Sequence, residues 1–417
     1  MIPVVHQPRY SRPTRNIMSA QLKFTIPQEF QEQLEPAEPL DTRSDEEILA
    51  SLSVHRPVTS EKNIWAFWHA GASKMPKWCQ RNVIDWHRIC GPSWTIRVLD
   101  TVANSPNHAL EFIPPHMFPE AFVKGTMDGP YIGQHSADFI RTASLYLYGG
   151  VFMDVGILLI RSLDRVCWAQ LEDPTTPYNL AVPYMYNTTI ANHFVASRKG
   201  DTLIKNWHDL FVHVWKDHTN YAGMCENPLF AFMMNEDYKP SIDNGFTFDW
   251  KVEVTTVLGY ITQVLAWNRV ARLEDVAGGF SGVDYGMKHV LWFNVLKENW
   301  GIEWEIGFKG ENAFNVLATR LDADPESEEY KKAYSIVWRC LAQSSMQKVT
   351  HAKNMTETPA LGSLWEQMEN EGMDAKEGTF AELFRYGATR FRQKREEIAV
   401  VQVERPKEII KKGLYEP

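Results

Sequence analysis

The chain lacks a cysteine framework. Its five cysteines, Cys79, Cys90, Cys167, Cys225 and Cys340, form no C-x-x-C pair, and an odd number leaves at least one thiol without a partner. That argues against a disulfide-stapled secreted scaffold and for reduced thiols in a reducing compartment. A catalytic cysteine would need a low-pKa environment, which composition does not reveal. Long apolar runs are missing too: none approaches the about 18–20 residues that cross a bilayer. The first residues, MIPVVHQPRYSRPTRNIMSAQLKFTI, carry arginine and proline but no apolar stretch of a secretory signal. These absences predict a cytoplasmic protein with no membrane partner and no transmembrane anchor. Positive charge is scarce as well. The net charge is −9 and the pI about 5.8, so no global field attracts nucleic acid or anionic lipid, although a local basic face would be hidden in the sum. HExxH, GxSxG, Walker A and strand-coupled GxGxxG patterns are all absent, which removes the commonest zinc, serine-nucleophile and phosphate-loop chemistries.

What is present is apolar surface in quantity. Of 417 residues 44% are apolar and 12% aromatic, enough for a large buried core, and 23% charge is ordinary for a folded protein. Residues 1–60 read as a polar, proline-rich, partly disordered lead-in, with one short helix after Ser44, whose Glu47 completes a capping box. The catalytic body spans 61–371. In it NIWAFWH (Asn63–His69) predicts a buried strand, Lys77–Ile89 an amphipathic helix and WTIRVLD (Trp94–Asp100) a second strand. Strand, helix, strand in that order predicts an α/β fold with a mixed, mostly parallel sheet flanked by helices, and a helical C-terminal region. Further along, SADFIRTASLYLY (Ser136–Tyr148) predicts a helix capped by Ser136 and ended by Gly149-Gly150; Val151–Ile160 and Asn179–Tyr186 predict strands; Leu203–Lys216 and Thr255–Ala271 predict helices. Residues 372–417 form a charged extension with a basic run, RFRQKR (Arg390–Arg395).

The segment Ser136–Asp154 carries the most specific pattern. Helix, Gly-Gly, apolar strand and Asp place Asp154 towards the carboxyl edge of a strand, where open α/β sheets bind ligands. Asp138 and Arg141 share one helix face, and near a helix N-terminus Arg141 adds donors for phosphate or carboxylate. The bland alternative is an ordinary Asp–Arg pair and a loop Asp. Trp68 and His69 close the first strand on the substrate edge, His69 as a candidate base or, equally, a packing histidine. His135 ends a Gly-rich approach that would form a lid; His289 and His351 lie in the C-terminal half, where one would close over the cleft. Asp322-Ala323-Asp324 is a literal D-x-D, but its acidic surroundings fit a solvated helix start.

At these residues the chain resembles the mannosyltransferase-like and capsular-polysaccharide-synthesis-like transferases of fungi, which have a GT-A-type, Rossmann-like core. The likeness covers roughly Asn63–Leu163. It implies that Asp138 and Arg141 help to hold a nucleotide and that Asp154 opens a D-x-D metal motif; Trp68, His135, Ser136, Gly149 and Gly150 are expected to line the same site. The motif here reads Asp154-Val155-Gly156, so the second carboxylate is missing and Asp154 alone is left to hold any metal. The chain also resembles the fungal arginine-containing cyclodipeptide synthases over most of its length. That likeness implies condensation of arginyl-tRNA with a second aminoacyl-tRNA, needing no cofactor, with Asp154, Asp138 and His69 as catalytic residues and the basic C-terminal run against tRNA. This is the primary expectation. The alternative is a glycosyltransferase with a nucleotide-sugar donor and an Mn²⁺ or Mg²⁺ ion; a scaffold that only binds a partner is the third.

Overall fold

The computed structural model describes residues 22–185, 189–235, 248–275 and 277–417. Thirteen short strands are described: β1 (Leu34–Pro36), β2 (Asn63–Phe67), β3 (Thr95–Leu99), β4 (Gly150–Met153), β5 (Ile157–Leu159), β6 (Leu180–Met185), β7 (Thr189–Ile190), β8 (Phe194–Ser197), β9 (Glu274–Asp275), β10 (Phe280–Ser281), β11 (Val290–Asn294), β12 (Met346–Lys348) and β13 (Phe391–Gln393). The helices that frame them are α1 (Asp45–Ser51), α2 (Lys77–Cys90), α3 (Ile132–Tyr148), α4 (Thr202–Trp215), α5 (Val254–Tyr260), α6 (Thr262–Arg272), α7 (Glu328–Gln343) and α8 (Phe380–Arg390).

The central sheet runs in the order β3-β2-β4-β8-β6-β11, with β7 added to β6. Only β8 in that path runs against its neighbours, so the carboxyl ends of the other five strands share one edge. The fold is therefore α/β with a mostly parallel sheet, as the strand–helix–strand order predicts, and GT-A-like, as the family resemblance implies. Its strands read as nearly continuous apolar runs because both faces are covered. On β2, Ile64 and Ala66 pack on the side of α2, α7 and α8, while Trp65 and Phe67 pack on the side of α3, α4 and α6. The same alternation holds on β4, with Val151 and Met153 against Phe152.

Three local findings differ from the sequence expectations. Helix α3 starts at Ile132, four residues before Ser136, so Ser136 does not cap it; its buried hydroxyl meets the Met127 sulfur at 3.9 Å instead. No proline interrupts Tyr131–Ser136, and the helix extends backwards through Gly133, with His135 buried on its inner face. The expected strand Val151–Ile160 is broken at Asp154-Val155-Gly156, after which β5 leaves the central sheet and pairs antiparallel with β12. The expected helix Thr255–Ala271 is two helices, α5 and α6, parted at Ile261. Of the expected strand Asn179–Tyr186, Leu180–Met185 is strand and Tyr186 lies outside the described residues.

The capping box at Ser44 and Glu47 is formed. Both ends of the chain are tied together: β1 pairs antiparallel with β13. All five cysteines are buried and unpaired, and burial pushes the Cys90 and Cys340 thiols up to about 12, so these two are inert packing groups.

Candidate active site

Asp154 follows the last residue of β4 at the shared carboxyl edge. Its amide donates to the His193 carbonyl at 3.0 Å, and the Ile157 amide returns to the Asp154 carbonyl at 3.1 Å, closing a tight turn. Helix α2 holds this turn from beneath: Asn82 Nδ2 donates to the Val155 carbonyl and Trp86 Nε1 to the Ile157 carbonyl, both at 2.9 Å. The Asp154 side chain keeps 30% of its surface open, whereas the groups around it are closed in.

Two cations flank that carboxylate. Lys348 Nζ, brought in by β12, lies 2.8 Å from Oδ2, and Arg141 Nη2 lies 3.3 Å from Oδ1. Burial pushes the carboxyl up, but Lys348 and Arg141 outweigh it and hold Asp154 below the usual carboxylate range. Arg141 is itself fixed. Its Nη1 bridges Asp138 Oδ1 and Gln263 Oε1, and its guanidinium lies 4.6 Å over the Phe152 ring. Gln263 on α6 returns a hydrogen bond to the Asp138 carbonyl, and Asn192 Nδ2 donates to Gln263 Oε1 at 2.9 Å. An arginine that is 3% exposed is costly to bury unpaired, so this polar cage is what keeps it in place.

His193, just ahead of β8, accepts from Asn299 Nδ2 at 2.9 Å through Nε2. Burial, with Lys348 nearby, pushes it down to about 3, so it is a neutral ring at physiological pH. His135 packs among Trp215, Tyr221 and Tyr260, and its Nδ1 is 3.6 Å from Asp138 Oδ2. It is part of the α3 wall, buried, and not the end of a lid. Burial and the carboxylates of Asp138 and Asp154 push the Tyr260 phenol up, leaving it a neutral donor on the same wall.

The fold thus brings Asp138, Arg141, Asp154 and His135 together. It sets the other expected residues apart. His69 is exposed, its ring tilted 32° to that of Trp68 with centroids 5.8 Å apart, over the first turn of α3; no described hydrogen bond joins its ring to Asp138, Arg141 or Asp154. Gly149 and Gly150 lie at the opposite end of β4. There a Cβ on Gly150 would meet the Asn63 carbonyl oxygen at 2.4 Å, and one on Gly149 the Glu61 carboxylate at 2.7 Å, so these glycines serve close chain approach. His289 bonds the Pro177 carbonyl, and Asp322 is engaged by Arg320. His351 is half-buried beside Phe248 and Phe308 on the Lys348 side. Lys348, Gln263, Asn192 and His193 carry no motif in the sequence; only the folding of distant segments makes them neighbours.

Residues 15–235, more than half of the chain, match the family described as capsular polysaccharide synthesis protein. The chain belongs to that family. Among its relatives are a probable glycosyltransferase, FCK3, of Fusarium pseudograminearum, 53% identical with 95% of this chain and all of the relative covered, and the O-glycosyltransferase braB of Annulohypoxylon truncatum, 35% identical with 92% of each covered. The glycosyltransferase afumC of Aspergillus fumigatus is 36% identical over 89% of this chain and 96% of its own.

These relatives overturn the expectation of cyclodipeptide synthesis from arginyl-tRNA and a second aminoacyl-tRNA. Glycosyltransferase names recur across nearly the full length of this capsular-polysaccharide-synthesis family member, and none is a tRNA-dependent synthase. The basic run expected to meet tRNA is also spent on the fold. Arg390 pairs Glu38, Arg392 pairs Glu35, and Arg395 grips the fully buried carboxylate of Glu298 through two bonds of 2.8 Å.

A divalent ion, implied by the family likeness, finds a poor donor set. Gly156 offers no second carboxylate, both oxygens of Asp154 already face cations, and Asp138 is bound to Arg141. Among the described residues no cluster of three or more His, Cys, Asp or Glu side chains could hold a metal. Likewise, among the described residues no helix is long and apolar enough to cross a membrane.

Proposed function

We propose that the chain is a glycosyltransferase that moves a sugar from a nucleotide-sugar donor to a hydroxyl group of an acceptor. The observation that carries this reading is the 53% identity, over 95% of the chain, to a protein named a probable glycosyltransferase. The braB relative, named an O-glycosyltransferase, supports oxygen as the receiving atom. In such a transfer the bond between the anomeric carbon and the phosphate oxygen breaks, a bond to the acceptor oxygen forms, and the acceptor gives up its proton. Charge therefore grows on the departing nucleoside diphosphate. Fixed cations at the carboxyl edge of a parallel sheet suit that charge, because they need no reorganisation as it develops. Arg141, held by Asp138 and Gln263, is such a cation. Asp138 positions Arg141, and Asp154, the most open of the set, is the carboxylate we assign to the reacting region. The reducing cytoplasm is the compartment we assign, supported by five buried, unpaired thiols.

The test is turnover of UDP- and GDP-sugars by the purified protein, read as release of free nucleotide with and without hydroxylated acceptors. Turnover is expected for the wild type. Arg141→Lys should lower it by about 10²–10³-fold, since a lysine cannot bridge Asp138, Gln263 and Asp154 at once. Turnover by Arg141→Lys at the wild-type rate would overturn the site; no turnover of any donor by the wild type would overturn the reading.

A further inference from the structure

The turn that bears Asp154 leaves no room for a side chain at position 156, because Thr350, just after β12, lies against it. Strand β12 lies antiparallel to β5, with Lys348 opposite Ile157, and the Val349 amide donates to the Gly156 carbonyl at 3.0 Å. A Cβ on Gly156 would sit 2.5 Å from Thr350 Oγ1 and 3.5 Å from Lys348 Nζ. Even the first atom of a side chain at 156 would therefore collide with the Thr350 hydroxyl. Lys348 is 6% exposed, its ammonium is bonded to Asp154 Oδ2, and Arg141 binds the other oxygen of the same carboxylate.

On the reading that the donor is a nucleotide sugar, we propose that Lys348, together with Arg141, supplies the positive charge for the donor diphosphate that a divalent ion would supply in a site with two carboxylates. Lys348 and Arg141 both face Asp154, and Arg141 also pairs with Asp138, so two fixed cations stand at the edge where the donor diphosphate would arrive. An added divalent ion would have to displace the ammonium from Asp154 and would find no second protein carboxylate beside it. An arriving diphosphate meets an ammonium with three N–H donors, of which one is directed at Asp154, and a guanidinium edge already pre-oriented. Asp154 then acts as the anchor that holds Lys348 in place, and the lysine reaches the site from 194 residues away in the chain.

The experiment is calorimetric titration of the full-length protein with UDP, GDP, ADP and dTDP, each in EDTA and in Mg²⁺ or Mn²⁺. At least one diphosphate is expected to bind, with affinity in EDTA within about twofold of that with metal. Lys348→Met should weaken that diphosphate by about ten- to a hundredfold, the loss of one charge-assisted contact, and leave the affinity for the matching nucleoside unchanged. Lys348→Arg should retain most of the diphosphate affinity, and both variants are checked by thermal melting. The wild-type comparison in EDTA does not depend on either variant folding. Binding that vanishes in EDTA and returns with metal would overturn the role of Lys348 while leaving the nucleotide-sugar reading intact. Binding by Lys348→Met equal to wild type would also overturn it. No binding of any of the four diphosphates in either condition would overturn the nucleotide-sugar reading itself.

Discussion

At the residue scale the site is a set of charges whose values depend on what lies behind them. Glu303 is buried, receives a hydrogen bond from Gln347 Nε2, and is pushed by burial up to about 8. Gln347 is the residue next to Lys348, and its Oε1 also accepts from the Ile302 amide at 3.0 Å. In the folded chain Glu303 is neutral at pH 7, whereas in the unfolded chain it ionises near 4.5. The folded state therefore holds the extra proton, and this group's stabilisation is complete below about pH 4.5 and lost as pH rises through about 8. We expect the wild type to lose stability across that window with a slope on the order of 1.4 kcal/mol per pH unit from this group. Glu303→Gln, which mimics the neutral acid, should flatten that part of the profile and be the more stable protein at pH 8. Denaturant midpoints measured from pH 5 to pH 9 decide it: parallel profiles for the two proteins would mean that Glu303 is ionised in the fold. The same scale explains which site residues the sequence reveals. Asp138, Arg141 and Asp154 are legible because one helix and one strand carry all three in nineteen residues, from Ser136 to Asp154. Lys348, Gln263 and Asn192 are not, because a lone Lys, Gln or Asn has no periodicity and meets the others only through tertiary pairing.

At the element scale the decisive feature is the break between β4 and β5. An apolar run such as Val151–Ile160 has the composition of one buried strand, and hydrophobicity alone gives no reason to interrupt it. The interruption comes from outside: α2 takes the Val155 and Ile157 carbonyls, and β12 captures β5 as a separate two-stranded ribbon. The start of α3 is misjudged from sequence for a related reason. Ser136 has the chemistry of a cap, but it lies inside the helix with its hydroxyl buried against Met127, so it is not available at the N-terminus. The close fit of the ribbon to the turn is testable. Gly156→Ala places a methyl group against Thr350 Oγ1, a contact that must relax by shifting Thr350, and should cost about 1–3 kcal/mol as an overpacking change. Thr350→Ala removes both atoms nearest that methyl, so the double variant should recover most of the loss. Chemical denaturation of the two single variants and the double variant gives the coupling energy. Additive effects would show that Gly156 and Thr350 do not share this space.

At the scale of the whole molecule the same ribbon connects the site to both ends of the chain. The C-terminal basic run looks like a polyanion-binding tail in sequence because its carboxylate partners, Glu35, Glu38 and Glu298, lie 97 or more residues away. In the fold each arginine is matched, and β13 with β1 closes the molecule. The expectation of a tRNA partner rests on a family resemblance that the glycosyltransferase relatives overturn, and the pairing accounts for the basic run without it. The absent second carboxylate argues against a nucleotide-sugar donor only while no other positive charge is in view, and Lys348 is invisible at that point of the chain. Arg395 carries the consequence furthest. Its two N–H groups grip Glu298, whose carboxylate also accepts from Ser345 Oγ and the Ala399 amide and is fully buried. Ser345 immediately precedes β12, so this ion pair braces the strand that delivers Lys348. Removing one partner of a buried pair leaves a charge without compensation, a loss of about 3–5 kcal/mol. Arg395→Ala should therefore lower stability by about that much and weaken nucleoside-diphosphate binding in parallel, although the residue touches neither Asp154 nor Lys348 by any described contact. Arg395→Ala combined with Glu298→Gln should regain part of the stability, since the stranded charge is then gone. Urea denaturation of the single and double variants measures this; an Arg395→Ala protein as stable as wild type would mean that the C-terminal run lies on the surface and not within the frame of the site.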